Sequence, residues 1–230
     1  HPHLDTLLAL PLVDAPAVAA RGFRVLLDPI NSVAKFELAA LLDRLGVTYE
    51  LINDRIGQGF DRTPEPLKEN LTATSARVRE GGFDLGIVSD PDGDRLVFIQ
   101  EDGEVFGEEY TLVAVADYVL RHTPGPVVSN LSSSRALADL AARYGQRYEA
   151  SAVGEVHVVL KMKEIGAVIG GEGNGGVIYP ALHYGRDALV GTALFLSFLA
   201  RTGGTVSELR RHYPAYEMVK LKFDLPPNRN

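Results

Sequence analysis

Short apolar runs alternate along this chain with longer segments in which apolar residues return every three or four positions. The short runs predict buried strands, and the periodic segments predict amphipathic helices. Proline fits the first turn of a helix and glycine fits its end. In the first half we therefore expect strands at 23–28, 48–53 and 83–89, a hairpin over 96–106, and helices at about 32–45 and from Thr63-Pro64 to Gly81-Gly82.

The second half repeats the alternation. Its predicted strands are at 126–131, 147–151, 167–171, 176–180 and 217–225, and its predicted helices are at 109–122, 132–145, 155–165, 187–202 and 205–214. Alternating strands and helices are typical of α/β proteins. We expect two tandem three-layer α/β/α domains with mixed, largely parallel sheets. We assign residues 1–107 to the first domain and 108–225 to the second, and interpret 226–230 as a truncated linker.

Composition narrows the possible functions. The 230 residues carry a net charge of −7 and no run of lysines or arginines, which argues against a nucleic-acid or membrane partner but leaves room for a local phosphate pocket. The chain has no cysteine, so disulfides and thiolate chemistry are excluded. The first fifteen residues do not resemble a signal peptide, and the apolar stretch 188–200 is too short to span a bilayer. We expect a cytoplasmic protein.

The stretch SDPDGDRL places Asp90, Asp92 and Asp94 at alternate positions directly after an apolar strand. Like charges at this spacing repel one another, and a bound divalent cation would remove the repulsion. Donor sets made only of oxygen suit Mg²⁺ or Ca²⁺ better than zinc. Loops at the carboxyl ends of strands are also where α/β proteins bind ligands. The loop is therefore a candidate metal site, with a solvated Asp-Gly-Pro turn as the alternative.

Two known loop types share part of this pattern. An EF-hand count from Asp90 as position 1 puts Glu101 at position 12, but Arg95 stands at position 6, where that loop needs glycine, and strands flank it. We reject the EF-hand. A phosphatase with an aspartyl nucleophile also places Asp-x-Asp after a strand, and this alternative stays open. Two interpretations of Arg95 are open. Beside a metal ion it would help to bind a phosphate group, or it forms a salt bridge that relieves the repulsion among the aspartates.

The second unusual stretch is GGEGNGG at 170–176. Its spacing matches G-x-G-x-x-G, but a β-like segment follows in place of a helix, so a dinucleotide site is not indicated. Glycine lets backbone approach a ligand closely. The carboxylate of Glu172 and the amide of Asn174 would suit the vicinal hydroxyls of a sugar. The alternative is a tight hairpin.

Six segments together resemble one known family. In chain order they are LLDPIN (26–31), TPEPLKENL (63–71), FDLGIVSDPDGDRL (83–96), AVGEVHVVLKM (152–162), GGEGNGGVI (170–178) and GRDAL (185–189). They resemble segments of the α-D-phosphohexomutase superfamily, which includes phosphoglucomutases, phosphomannomutases and phosphoglucosamine mutases. The resemblance covers most of the chain and corresponds to the two middle domains of a four-domain enzyme.

The resemblance implies a role for each residue of the metal loop. Asp90, Asp92 and Asp94 would bind Mg²⁺. Arg95 would be the catalytic residue of this chain, beside the transferred phosphoryl group. These assignments rest on the close match of this segment to the family's metal loop.

The resemblance also implies a substrate. Glu172, helped by Asn174, would hold hydroxyl groups of a hexose phosphate, and His157 lies near a position where many members place a ligand contact. A partly buried helix histidine is an equal alternative for His157. The GEGNGG form favours phosphoglucosamine mutase, with phosphomannomutase or phosphoglucomutase as the alternative.

Two family motifs do not occur in these 230 residues: the phosphoserine motif of Thr-Ala-Ser-His-Asn type and the phosphate-binding loop of Arg-x-Ser-Gly-Thr type. The family mechanism passes a phosphoryl group from the phosphoserine through a hexose 1,6-bisphosphate. We therefore expect partners in missing N- and C-terminal domains of the same chain, and no turnover by this fragment alone. A non-catalytic phosphosugar-binding module and an unrelated Mg²⁺-dependent phosphatase remain rival hypotheses.

Overall fold

The computed structural model of the chain describes residues 1–216, so the predicted strand at 217–225 lies outside the described residues. The strands are Arg24–Asp28 (β1), Thr48–Leu51 (β2), Leu85–Ser89 (β3), Leu96–Gln100 (β4), Val127–Asn130 (β5), Tyr148–Ser151 (β6), Ile169–Glu172 (β7) and Gly176–Ile178 (β8). The helices are Pro2–Leu8 (α1), Ala15–Arg21 (α2), Ala34–Arg44 (α3), Thr72–Gly81 (α4), Glu108–His122 (α5), Ala136–Arg143 (α6), Glu155–Ile165 (α7), Ala188–Thr202 (α8) and Val206–Arg211 (α9).

The strands form two four-stranded sheets with the same topology. Their orders are β2-β1-β3-β4 and β6-β5-β7-β8. In each sheet the first three strands are parallel and the last pair is antiparallel. The α/β fold class, with two α/β/α units and mixed, largely parallel sheets, is confirmed. The domain boundary at residue 107 stays a proposal.

Alternate residues of each central strand face different helices, because side chains along a strand point to opposite faces. Val25 and Leu27 of β1 belong to the large core cluster that includes α3, whereas Leu26 packs in a smaller cluster with Val78 of α4. The second sheet follows the same pattern, with α7 covering its outer face. Each sheet is therefore covered on both faces, as parallel sheets require.

The large core cluster is continuous from one unit to the other. Helix α5 contacts β4 and β7, and α8 contacts β4 and β8, so both helices touch both sheets. Phe98 of β4 stacks on Phe195 of α8, with ring centroids 3.7 Å apart. Burying such a ring contributes roughly 1.5–3 kcal/mol. The shared core fixes the two sheets, and the loops at their ends, relative to each other.

Two helices near the start of the chain, α1 and α2, were not predicted from the sequence. Leu4 and Leu7 of α1 are fully buried, and the tyrosine hydroxyl of Tyr118 donates to Leu12 O at 2.9 Å. Asp14 caps α2 by accepting from Ala17 N at 3.1 Å. Leucines three positions apart and an aspartate before Ala-Pro-Ala are helix signals. Helices α1 and α2 therefore pack on the large core cluster that the two units share.

The predicted start of the fourth helix at Thr63-Pro64 is wrong. Helix α4 begins at Thr72, and before it Leu67 is extended with ψ of 153° and a 3₁₀ turn covers Lys68–Asn70. A proline disfavours helical geometry in the residue that precedes it, and the two prolines at 64 and 66 do so twice. This extended segment carries Glu65 to within 3.5 Å of Arg95.

Candidate functional site

The metal loop connects β3 to the antiparallel β4 and is closed by one of its own carboxylates. Asp90 Oδ1 accepts the backbone N–H groups of Asp94 and Arg95, both at 3.1 Å. Gly93 turns the chain with a φ of +73°, which suits glycine. Asp90, Asp92 and Asp94 each offer a carboxylate oxygen, and these oxygens all lie within 4.8 Å of one another. The loop thus brings the three predicted metal ligands together.

The electrostatics of the loop fit a divalent cation. Burial raises the pKa of Asp90 to about 7, helped by the charges of Asp94 and Asp92 and opposed by the hydrogen bond from Arg95 N. Asp94 Oδ1 is buried with no hydrogen-bond partner among the described residues. A buried acceptor of this kind is costly unless something binds it. A hard cation with oxygen ligands, Mg²⁺ or Ca²⁺, satisfies both features.

The glycine loop, residues 170–176, begins within β7 and turns toward β8. Hydrogen bonds hold its two predicted sugar ligands, Glu172 and Asn174. Glu172 is 5 % exposed, and its Oε1 accepts from Asn130 Nδ2 at 2.7 Å. Asn174 Oδ1 accepts from Gly176 N at 3.2 Å. These contacts orient the side chains before any ligand arrives.

A backbone hydrogen bond joins the two loops. Leu96 N, directly after the metal loop, donates to Gly175 O in the glycine loop at 3.0 Å. Gly175 has a φ of +94°, and a Cβ at this position would stand 2.6 Å from Leu96 O. Only glycine permits this approach. The two motifs, which lie about eighty residues apart, form one site.

Arg186 is the residue that sequence reasoning missed. Its guanidinium contacts a carboxylate oxygen of Asp94 and lies 3.1 Å from Glu172 Oε2 and 3.4 Å from Glu155 Oε2. The side chain is 15 % exposed. Arg186 lies in the segment GRDAL, which resembles a segment of the family but implied no role for any of its residues. Nothing in local spacing indicates that position 186 bridges the metal loop to the glycine loop.

A cavity of about 600 Å³ opens between the loops. It is lined by Glu65, Leu67, Arg95, Gly107, Glu108, Glu109, Tyr110, Asn130, Ser132, Val153, Glu172, Gly173 and Asn174. Arg95 from the first unit and Glu172 and Asn174 from the second, all predicted site residues, therefore share one cavity. Arg95 is 28 % exposed, lies 3.5 Å from Glu65, and its buried Nε has no hydrogen-bond partner among the residues described.

The structure does not bring His157 into this cavity. It lies exposed on the first turn of α7 and is not among the described residues that line the cavity. Glu155 of the same helix reaches the site instead, through Arg186. Asp92, for its part, lines a neighbouring cavity of about 270 Å³ together with Arg186 and His183.

Comparison with known proteins defines the class. Two family models match, described as phosphoglucomutase/phosphomannomutase α/β/α domain II over residues 1–103 and domain III over residues 107–216. The chain belongs to the phosphoglucomutase/phosphomannomutase family. This confirms the resemblance to the middle two domains of phosphohexomutases.

Individual relatives agree. A phosphoglucomutase/phosphomannomutase of Thermococcus kodakarensis is 36% identical over 91% of this chain and 46% of its own length. A probable phosphoglucosamine mutase of Methanopyrus kandleri is 32% identical over 94% of this chain and 48% of its own length. The chain thus spans about half the length of these relatives. Their names share the mutase reaction and differ in the sugar.

Solved structures support the fold. A putative phosphomannomutase from Thermus thermophilus has a TM-score of 0.84 at 24% identity, covering 92% of this chain and 49% of its own. Aspergillus fumigatus N-acetylphosphoglucosamine mutase, in complex with GlcNAc-6P and magnesium, has a TM-score of 0.63 at 15% identity, covering 88% of this chain and 52% of its own.

Within residues 1–216 no helix has the length and apolar character needed to cross a membrane.

Proposed function

We propose that this chain is the central half of a Mg²⁺-dependent phosphohexomutase that interconverts hexose 6-phosphates and hexose 1-phosphates. The observation that carries the proposal is the hydrogen bond from Leu96 N to Gly175 O, which joins the metal loop to the glycine loop, beside a cavity lined by Arg95, Glu172 and Asn174. A volume of about 600 Å³ is in the range of small-molecule sites.

The metal loop would carry the phosphoryl-transfer half of the site. Asp90, Asp92 and Asp94 would hold Mg²⁺, which when bound would neutralise negative charge on a phosphoryl group. Arg95 would donate hydrogen bonds to oxygens of the same group, since it lines the cavity, and its guanidinium lies 3.5 Å from Glu65 and 3.6 Å from Asp90. Arg186 holds Asp94 and Glu172 in place.

The glycine loop would carry the sugar half of the site. Glu172 accepts from ring hydroxyls and Asn174 adds an amide contact, both in positions that existing hydrogen bonds fix. We take glucosamine phosphate as the first substrate, because the relative from Methanopyrus kandleri is named a probable phosphoglucosamine mutase. The relative from Thermococcus kodakarensis makes glucose and mannose phosphates the alternative.

In the complete enzyme the reaction has two balanced transfers. A phosphoserine outside this chain would give its phosphoryl group to O1 of a hexose 6-phosphate, while the proton of that hydroxyl passes to the serine oxygen, and hexose 1,6-bisphosphate would form. After this intermediate reorients, the phosphoryl group on O6 would return to the serine, the serine proton would pass to O6, and hexose 1-phosphate would depart. The 230-residue chain alone would bind substrate and Mg²⁺ without turnover.

The test pairs the 230-residue chain with the product of the complete reading frame. We expect the chain to bind glucosamine 6-phosphate in a Mg²⁺-dependent way, measured by calorimetry, and the complete product to convert it to the 1-phosphate. Binding without conversion by the complete product would support a phosphosugar-binding module. Release of inorganic phosphate from a simple ester would support a phosphatase, and turnover by the chain alone would contradict the missing-serine argument.

A further inference from the structure

The smaller cavity is lined by a group of side chains of metal-ligating type that the proposed function does not use. His3 of α1 and His183, in the loop before α8, both point at Asp187, the residue that precedes α8. His3 Nε2 lies 2.7 Å and His183 Nε2 lies 3.0 Å from the same oxygen, Asp187 Oδ2. Potential ligand atoms of the three residues all lie within 4.8 Å of one another. Two segments far apart in sequence thus converge on one carboxylate oxygen.

The two oxygens of Asp187 have separate partners. Oδ1 accepts the backbone N–H groups of Leu189 at 2.7 Å and Val190 at 3.1 Å and so caps α8. This capping holds Oδ2 toward the two imidazoles. The Asp187 side chain is 7 % exposed, whereas His3 and His183 are 43 % and 40 % exposed. The site has a fixed, buried base and a side that is open to solvent.

We propose that His3, His183 and Asp187 bind a divalent transition-metal ion such as Zn²⁺. Two imidazole nitrogens and one carboxylate oxygen are the donors that zinc, cobalt and iron prefer, in contrast to the all-oxygen set of the metal loop. Three protein ligands leave the fourth position of a tetrahedral ion to water.

The observed spacing is close to that of a tetrahedral site. Ligands about 2.1 Å from a zinc ion lie roughly 3.4 Å apart. The measured Nε2–Oδ2 separations are 2.7 and 3.0 Å. The imidazoles need to retreat by a few tenths of an ångström, and their exposure allows this. Without an ion, Nε2 of each imidazole shares a hydrogen bond with Asp187 Oδ2, and the experiment must distinguish this arrangement from a metal site.

A metal here would clamp α1 to the start of α8. Arg186, the neighbour of Asp187, contacts the metal loop and the glycine loop, so the clamp would fix the chain segment from which Arg186 projects. This is a structural role. The metal-site proposal rests on residues that the mutase proposal does not use, and its test measures no turnover. Either proposal can therefore fail while the other holds.

The test is a titration of the metal-free 230-residue chain with Co²⁺, whose visible absorption reports coordination by nitrogen and oxygen. We expect one equivalent to bind, Zn²⁺ to displace it, and excess Mg²⁺ to leave it in place. His3→Ala and His183→Ala should each weaken binding about 100-fold or more, since even lesser changes around a metal cost 10–100-fold. Zn²⁺ should also raise the Tm of the wild-type chain by several degrees and leave that of His183→Ala unchanged.

Two further variants sharpen the result. Asp187→Asn keeps the Oδ1 cap of α8 and loses the liganding carboxylate, so it should fold and bind Co²⁺ weakly. His212→Ala removes an exposed histidine beyond α9 and should bind like the wild type. The proposal is overturned if Co²⁺ shows no saturable binding, or if His212→Ala weakens Co²⁺ binding as much as His183→Ala does. It is also overturned if Co²⁺ binding survives His183→Ala, because the first residues of the chain would then chelate the ion alone.

Discussion

Replacing Asp90 with asparagine should stabilise the metal-free chain at neutral and alkaline pH. Asp90 Oδ1 accepts two backbone N–H groups, and an asparagine oxygen can accept the same two. The substitution therefore preserves the closure of the loop. It removes the buried charge that burial, Asp94 and Asp92 disfavour. Asp90→Asn separates the structural contribution of this residue from its electrostatic cost.

The sign and size of this change in the free energy of unfolding follow from the pKa of Asp90. The Asp90 carboxyl titrates near its ordinary value of 3.8 in the unfolded chain and at about 7 in the folded chain. Between these pH values the folded state keeps a proton that the unfolded state has released, so stability falls as pH rises from about 4 to 7. Each pH unit in this window is worth at most about 1.4 kcal/mol, a ceiling of roughly 4 kcal/mol. Because Asp92 is exposed and Asp94 is only partly buried, solvent screens part of the repulsion, and we expect about 1–3 kcal/mol.

The assay is urea and thermal unfolding in EDTA at pH 5 and pH 8, repeated with Mg²⁺. At pH 8 in EDTA we expect Asp90→Asn to unfold at a higher Tm than the wild type, by roughly 2–4 °C for each kcal/mol. The difference should shrink at pH 5. Mg²⁺ should stabilise the wild type and have much less effect on the variant.

Asp102→Asn is the matched control. Asp102 Oδ1 accepts from Glu104 N at 2.9 Å in an exposed turn, so this variant also keeps a backbone hydrogen bond while losing a carboxylate. It should show neither the pH-dependent gain nor the loss of the Mg²⁺ response. Equal stability of Asp90→Asn and wild type at pH 8 in EDTA, or an equal gain from Mg²⁺, would refute the electrostatic argument.

Three other predictions concern the site and the core. Arg186→Ala removes charge-assisted contacts worth roughly 1.5–3 kcal/mol each, so kcat/KM of the complete enzyme should fall by about 10- to 100-fold. An unchanged kcat/KM would exclude Arg186 as a positioning residue. Glu172→Gln should weaken hexose phosphate binding by about 10-fold or more and spare Mg²⁺ affinity, whereas Glu164→Gln, on an exposed side chain, should change neither. Phe195→Ala should lower the free energy of unfolding by about 3–5 kcal/mol in urea, and a cost under 1 kcal/mol would argue against the shared core.

Local signals in the sequence were sufficient for most of the fold. The alternation of apolar runs and periodic segments placed both sheets, and the crowding of Asp90, Asp92 and Asp94 indicated a metal loop, because these patterns act over a few residues. The false start at Thr63-Pro64 arose because proline favours a first helical turn yet also disfavours helix in the residue before it. With a second proline at position 66, the second effect prevailed.

Contacts between distant segments could not be predicted in this way. Arg186 reaches Asp94 across more than ninety positions, and its neighbour Asp187 meets His3 from the other end of the chain. Each contact depends on where α8 begins relative to both sheets, which the shared core determines. A sequence pattern identifies residues capable of the chemistry, and only the packing of α5 and α8 decides which of them meet.

The shared core also explains how the chain holds Asp90, Asp92 and Asp94 close together. Burying Asp90 beside two other carboxylates opposes folding, and within the loop two backbone hydrogen bonds and the ion pair with Arg95, at 3.6 Å, offset part of this cost. The remaining offset comes from elsewhere: β4, which leaves the loop, carries Phe98 onto Phe195 of α8, and Leu96 holds the glycine loop through Gly175. Because the strand after the loop is held by the core of both units, the aspartates stay close in the absence of a cation. Apolar packing some residues away therefore holds the three aspartates close together, as the proposed binding of a divalent ion would require.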